Sequence, residues 1–511
     1  MTSRITGHHD THALRAQLAT DFGSLAAGVK EAADIRDVFN ELARVTIGIL
    51  YDLMHEWNEA NVLRCLPAEL IAHCFTFLPL QDRITVSHVS RTWRSIALAH
   101  PAIWTDVSFS NEYPVCAAVL EMILPRTGRL PIHLRSQGFH VHDTRSAISS
   151  CLAKNFHRMQ SISWSALDVL PLCRPAPILE KFVGLTSEHI TLPPDFLGGV
   201  PSRLHTLHLA GVSFPPVCPA LRTVTHLTLV AAYDFEHAAT LGGIFRLFPA
   251  LQYLSLSGLL SVFARFLPRR PAPSSLIQLE LVSHDPEYDL SRHYVDWQTD
   301  RLRQVSLTQA TLPAHLDRLC TGAIELCVHR TRELHWSAYS DDRLRIVAID
   351  AAGRRSSVDF EDLVTANFLL RPELYTVFRG LRDVRALEFP MSMTQAFLGV
   401  VAALPNLARL TLRASAAAQA LWKLIPSLAH ALDRRASRLD ALVLRLAHNS
   451  DREGWELPPS AQDAQDLLEQ LEMLSSSNFP DIRVEGFGAA AVACLDVSEF
   501  ERFRVEFSTE G

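Results

Sequence analysis

Cys320, Cys327, His329 and His335 come nearest in this sequence to a metal site, since thiolates and imidazoles are the ligands zinc prefers. Their spacing matches no familiar tetrahedral frame, and packed or surface residues explain the group as well. A second histidine group, His8, His9 and His12, sits at a chain terminus, where a frayed polar end is the ordinary alternative. No metal is assigned to either. Arg354-Arg355-Ser356-Ser357 is a string that a basophilic kinase could phosphorylate, although short strings of this kind are common. The glycine-rich loop that holds nucleotide phosphates, the G-x-S-x-G elbow, the H-E-x-x-H pair and the Rossmann glycine triplet are missing. The sequence therefore reads as non-enzymatic and without a cofactor. The remaining candidates bind rather than react: His208, His226, Tyr253, Gln278, Glu280 and Gln304 recur at fixed places in a repeating pattern.

What positions such residues must be large and folded. At 511 residues the chain exceeds one ordinary core and implies several domains or a repeat array. Hydrophobic residues at 48% and charged residues at 20% are the balance of a globular protein rather than a disordered one. A net charge of −7 argues against a surface built to coat nucleic acid, and the basic run from Arg265 to Arg270 reads as solvated surface. The nine cysteines are an odd number without a C-x-x-C pair, which fits reduced thiols. No apolar signal core opens the sequence and no run is long enough to span a bilayer. The expected location is intracellular, cytoplasmic or nuclear, with neither membrane nor nucleic acid as partner.

Residues 66–104 read LPAELIAHCFTFLPLQDRITVSHVSRTWRSIALAHPAIW. Pro67 suits a first helical turn and Glu69 complements the positive helix end, while Leu70, Ile71, Cys74, Phe75 and Leu78 form one stripe that Pro79 stops. Asp82 can open a second helix carrying Val86 and Val89. Ser90 can cap a third, carrying Trp93 and Ile96 and ending near Pro101. Three short helices cannot cover this many large apolar side chains, so the block either needs a partner or begins a larger domain.

The order Leu-Pro-x-Glu-Leu, Phe-x-x-Leu-Pro, Asp-Arg, Val-Ser-Arg-x-Trp-Arg-x-Ile-Ala and a trailing Trp104 resembles the F-box along its whole length. The resemblance implies docking onto the Skp-type adaptor of a cullin-RING ubiquitin ligase and, through it, onto the cullin and RING subunits. It also implies that Leu66, Pro67, Leu70, Ile71, Phe75, Leu78 and Leu80 furnish the adaptor-facing apolar surface. Val86, Val89, Trp93 and Ile96 would build the module's own core and edge. Ser90 stands where many F-boxes have Cys, and it too caps a helix.

Before this block, residues 10–58 carry helical stripes, and Asp52 on the seam favours a helix packed against the F-box over a zipper. After it, Val115 to Ile123 reads as helix and Pro131 to Leu134 as strand. A unit Leu-x-x-Leu-x-Leu then recurs, at Leu204/Leu207/Leu209, Val224/Leu227/Leu229, Leu251/Leu254/Leu256, Leu276/Leu279/Leu281 and Leu302/Val305/Leu307, with several starts 20 to 27 residues apart. Further copies are Leu344/Val347/Ile349, Val384/Leu387/Phe389, Leu407/Leu410/Leu412 and Leu439/Leu442/Leu444, and weaker ones precede at Met159/Ile162/Trp164 and Leu179/Phe182. The period is that of leucine-rich repeats, although the copies lack the Asn or Cys that usually follows; an α/β sheet domain is the alternative source of such triplets. Long spacers at 285–300, around GRRSSVDFED and at 449–480, the last with a helical run near 461–474, are expected on loops.

In a strand of this pattern the third and fifth residues point away from the core. Those places hold Thr206 and His208, His226 and Thr228, Tyr253 and Ser255, Gln278 and Glu280, and Gln304 and Ser306; later copies are plainer, as with Ile346 and Ala348. Such a ladder is either a solvated sheet face or a substrate surface, and Tyr253 favours the second because an exposed tyrosine is costly to leave unused. The whole resembles the F-box/leucine-rich-repeat proteins, particularly the large divergent sets of mushroom-forming fungi. The expected α/β architecture is N-terminal helices (1–60), a three-helix F-box (61–109), a leucine-rich-repeat-like curved parallel β-sheet solenoid (110–490) and a C-terminal cap or tail (491–511). The function this implies is a substrate-recognition subunit of an SCF-type ligase. A non-catalytic scaffold acting outside ubiquitin transfer is the alternative.

Overall fold

The computed structural model describes residues 16–17, 19–24, 27, 32–59, 66–110, 114–136, 145–230, 243–258, 267–284, 296–309, 331–340, 343–360, 381–390, 400–401, 404–415, 439–447, 481–485 and 505–508. Cys320, Cys327, His329, the N-terminal histidines, Arg265 and the spacer at 449–480 lie outside these. No helix among the described residues is long and apolar enough to cross a membrane. The chain divides into two units, Met1–Ser108 with Ile123–Leu130, and Phe109–Met122 with Pro131–Gly511.

In the first unit, α1 (residues 19–24) and α2 (Ala32–Glu59) meet where Phe22 lies edge-on to Phe39 at 6.4 Å. No described side chain of α2 is buried, and Ile47, Ile49, Leu50, Tyr51, Leu53 and Met54 are all exposed. The expectation that this helix packs against the F-box-like block is therefore corrected.

The next block forms α3 (Ala68–Thr76), α4 (Leu80–Val89), α5 (Arg91–Ala99) and a 3-10 turn at Pro101–Trp104. Pro67 and Pro79 both stand at the N-cap, so α4 starts at Leu80 rather than Asp82. Ser90 caps α5 as its type predicts, its Oγ accepting from the Trp93 N–H at 3.1 Å. Phe75, Leu80, Ile96, Ile103 and Trp104 fill the small core; Phe75 packs on Trp93 at 5.3 Å and the Trp104 indole donates to Ala97 O at 2.7 Å. Arg83 is buried among them. Its guanidinium donates to the carbonyls of Thr76, Leu78, Ile103 and Asp106 at 2.6 to 3.2 Å, which satisfies the exposed end of α3 and ties it to the closing turn. Burial pushes the Arg83 pKa down, opposed by Asp106.

After β1 (Asp106–Phe109) and α6 (Ala117–Ile123), the second unit is organised by one sheet. β2 (Ile132–Ser136), β3 (Met159–Trp164), β4 (Lys181–Thr191), β5 (Thr206–Ser213), β6 (His226–Val230), β7 (Tyr253–Gly258), β8 (Gln278–Ser283) and β9 (Gln304–Gln309) lie side by side in chain order, each parallel to the next. Between them run α7 (Arg145–Asn155), α8 (Ile244–Leu247) and short 3-10 turns. Both weaker triplets, in β3 and leading into β4, are as buried as the clear ones.

The order then changes. β10 (Thr331–Ser340), β11 (Arg343–Asp350) and β12 (Arg355–Phe360) form a meander, and it is β12 that pairs in parallel with β9. β10 pairs in parallel with β13 (Ala386–Pro390), after which β14 (Arg409–Ser415), β15 (Ala441–Ala447), β16 (Asp481–Glu485) and β17 (Val505–Ser508) resume the parallel succession. The spatial order is β9-β12-β11-β10-β13, with β11 antiparallel to both neighbours.

Two expectations are corrected here. Leu344/Val347/Ile349 is not a further parallel repeat: Ile346 and Ala348 are buried at 0% and 2% exposure, whereas Val347 aligns with His335 and Ser357 on the opposite face. The stretch around GRRSSVDFED is not a loop but mostly β12, and Ser357 of the kinase-like string is buried within it. Within the segment expected as a cap or tail, Val505–Ser508 is a strand that pairs in parallel with β16.

In the regular copies the pattern holds: the second and third residues of the triplets in β5–β9 and β13–β15 are at most 4% exposed. Aromatic side chains of the connecting segments add to this core, as where Phe196 meets Phe182 of β4 at 5.5 Å and Phe214 meets Phe248 at 5.4 Å. Backbone hydrogen bonds also tie the strand starts together. One carbonyl before each strand accepts from two successive amides of the next: His205 O from Thr225 and His226, Thr225 O from Gln252 and Tyr253, and Gln252 O from Ile277 and Gln278.

Candidate docking surfaces

In the first unit, Leu66, Pro67 and Leu70 are exposed and Ile71 and Leu78 are half-buried. Phe75 and Leu80 are buried at 4% and 5%, so these two belong to the module's own core instead of its docking surface. Their bulk is needed inside because helices this short have little else to bury. In exchange Phe77, which the resemblance left unassigned, is 77% exposed, and Val89, assigned to the core and edge, is 59% exposed. The signal was present at Phe77: the turn between α3 and α4 falls there, and a large aromatic at a turn has no interior to enter.

In the second unit, the six expected substrate residues all lie on one face of the sheet. Register places Thr206, His226, Tyr253, Gln278 and Gln304 in one lateral row, and His208, Thr228, Ser255, Glu280 and Ser306 in the next. A third row holds Ala210, Val230, Ser257, Val282 and Thr308. Laterally paired strand residues point the same way, and the leucines between them are buried on the other side. His226 stacks on Tyr253 with centroids 5.9 Å apart, and the Tyr253 hydroxyl donates to Glu280 Oε2 at 2.5 Å. Tyr253 thus has internal partners, which removes the reason the sequence offered for its importance and replaces it with a fixed geometry. Burial, with the Glu280 carboxylate adding to it, pushes the Tyr253 phenol up to about 12. Burial and then Lys181 lower the pKa of His208.

The later strands of this face are not plain. Glu388 on β13 is 5% exposed, yet it accepts a hydrogen bond from His335 Nδ1 at 2.7 Å, pairs with Arg413 Nε, and has Arg445 Nη1 at 3.5 Å. His335 Nε2 also lies 3.7 Å from Glu333. Burial alone would raise the Glu388 carboxyl, but the His335 hydrogen bond and the Arg413 charge outweigh it and hold the pKa at about 2. The cluster joins strands whose residues are 25 to 57 positions apart. No local sequence signal finds it, although Asp350 with Gly353 did signal the turn between β11 and β12 of the same meander. Asp350 Oδ1 accepts from Ala352 and Arg354 N–H at 2.8 and 2.9 Å, and Gly353 has φ +75°.

Neither shifted group is poised for acid–base chemistry. A general base near neutral pH needs a raised carboxyl and a phenolic base a lowered one; Glu388 and Tyr253 move the opposite ways, which locks their protonation states. Among the described residues no group of His, Cys, Asp or Glu could hold a metal ion.

The F-box-like family model matches residues 63–110, the span of α3, α4, α5, the following turn and β1. A search of curated proteins finds no match to the chain. Residues 63–110 are thus an F-box-like domain, and F-box domains in general bind a Skp-type adaptor and act without catalysis of their own.

Proposed function

We propose that the chain is the substrate-recognition subunit of an SCF-type cullin-RING E3 ubiquitin ligase. Its F-box-like domain docks a Skp-type adaptor, and its leucine-rich-repeat-like sheet binds a target protein. The reading is carried by the match at 63–110 together with the exposed apolar residues Leu66, Pro67, Leu70 and Phe77 within it, since a patch of this kind on so small a module is characteristic of an interface. The rows from His208 to Gln304, with His226, Tyr253, Gln278 and Glu280, form the proposed target surface. Their support is that a parallel sheet aligns them rigidly on one face.

The test is affinity purification with mass spectrometry of wild type, Leu66→Ala with Pro67→Ala, and Phe77→Ala. Adaptor and cullin recovery should fall together, each truncation weakening docking by about 1 to 3 kcal/mol at an interface hot spot. Phe77 is 77% exposed, so its loss leaves the core intact. Undiminished adaptor recovery by the folded variants defeats the proposal, and target proteins recovered by wild type without any adaptor would leave the scaffold alternative.

A further inference from the structure

Among the described residues in the three rows that β5–β9 present on the polar face, Glu280 is the one residue with a formal charge, histidine being taken as neutral. It is half-buried, and among the described residues the group that meets it is a neutral phenol: Tyr253 donates to Oε2, which orients the carboxylate and leaves Oε1 as the acceptor on offer. A half-desolvated carboxylate without a cation gains most from one that a ligand brings. Beside it, His226 and Tyr253 stack at 29°, and Gln278 is the lateral neighbour of Tyr253 on the side away from His226.

We propose that this corner is a subsite for an arginine side chain of the bound protein. The guanidinium plane stacks on the face of Tyr253 away from His226 while its N–H groups donate to Glu280 Oε1 and the Gln278 amide oxygen. Arginine fits better than lysine because only the planar cation can stack and reach several acceptors at once. A phosphorylated or acidic segment is disfavoured at this corner, since Glu280 repels it and the basic residues in line with these rows, Lys181 on β4 and Arg355 on β12, pair with Thr206 and Gln304 at the two ends. The inference rests on the reading of this face as the target surface, but not on the F-box-like domain.

The test uses the full chain and four blocked peptides, Gly-Ser-Arg-Ser-Gly and its citrulline, lysine and glutamate versions, titrated by ligand-observed NMR. The arginine peptide should bind roughly five- to thirty-fold more tightly than the isosteric, uncharged citrulline peptide. Glu280→Gln should abolish that difference, Tyr253→Phe should reduce it by freeing the carboxylate, and Tyr253→Ala should lower binding of both peptides by removing the stacking face. Equal binding of arginine and citrulline, preference for glutamate, or no arginine-peptide binding at millimolar concentration overturns the subsite. None of these outcomes depends on adaptor recovery, so failure here and failure of the ligase reading are told apart.

Discussion

Arg83 and Glu388 are the two buried charges whose roles are clearest. Replacing Arg83 by Met keeps its volume but strips donors from four carbonyls, so Arg83→Met should destabilise the F-box-like unit by about 3 kcal/mol or more. Hydrogen exchange should show α3, α4 and α5 opening while β5–β9 keep their protection; unchanged exchange in the helices would refute this role. For Glu388 the folded pKa of about 2 lies below the ordinary 4.5, so its contribution is present above pH 4.5 and is lost as pH falls toward 2. The contribution is at most about 3 kcal/mol. Denaturation of wild type and Glu388→Gln between pH 2 and 7 should show a gap that is widest near neutrality and closes in acid. The facing groups are His335, Glu333, Arg413 and Arg445, and a gap independent of pH would mean that the carboxylate charge is not what these partners use.

At the level of elements, the reversed meander makes the sharpest test, because a run of parallel repeats and the observed topology predict opposite outcomes. A parallel copy would point Ile346 outward and Ile349 inward. In the structure Ile346 is fully buried while Ile349 is half-exposed between Glu333 and Arg355. Ile346→Asp should therefore cost more than about 3 kcal/mol by burying an unpaired charge, and Ile349→Asp, beside Arg355, should cost under about 1 kcal/mol. Chemical denaturation ranks the two directly. In the helices, Ser90→Ala removes the one side-chain acceptor at the start of α5 and should lower stability by about 1 kcal/mol, measured as a shift in the thermal midpoint. That cap was legible in the sequence because it is local; the turn at Asp350 was equally local but hidden behind an apolar triplet that fitted the repeat.

For the whole molecule, the two units carry the two proposed interfaces on separate cores. Substitutions at Leu66 and Pro67 should then leave arginine-peptide affinity unchanged, and Glu280→Gln should leave adaptor recovery unchanged. A double-mutant cycle should give coupling within about 0.5 kcal/mol of zero, the additivity expected of sites without shared partners. Strong coupling would show that adaptor docking and target binding share one conformational equilibrium, which independent units do not provide.

What the sequence determined by itself is what depends on near neighbours along the chain. The proline stops and the Ser90 cap placed three short helices, and the alternation of leucine with polar residues set which side of β5–β9 is buried, because helix ends and strand faces are decided within a few residues. The same alternation put His208, His226, Tyr253, Gln278, Glu280 and Gln304 on one face before any strand pairing was known. Tertiary structure decided the rest. Whether Phe75 and Leu80 or Phe77 and Val89 face outward depends on how α3, α4 and α5 close over Arg83, and apolar character is the same in both cases. The order β9-β12-β11-β10-β13 depends on which edge the meander joins, a choice between pairings of similar local pattern. The Glu388 cluster exists only because that choice lays His335 beside β13 and parallel pairing then lines up Arg413 and Arg445. Electrostatic partners tens of residues apart are made by the fold, and periodicity carries no information about them.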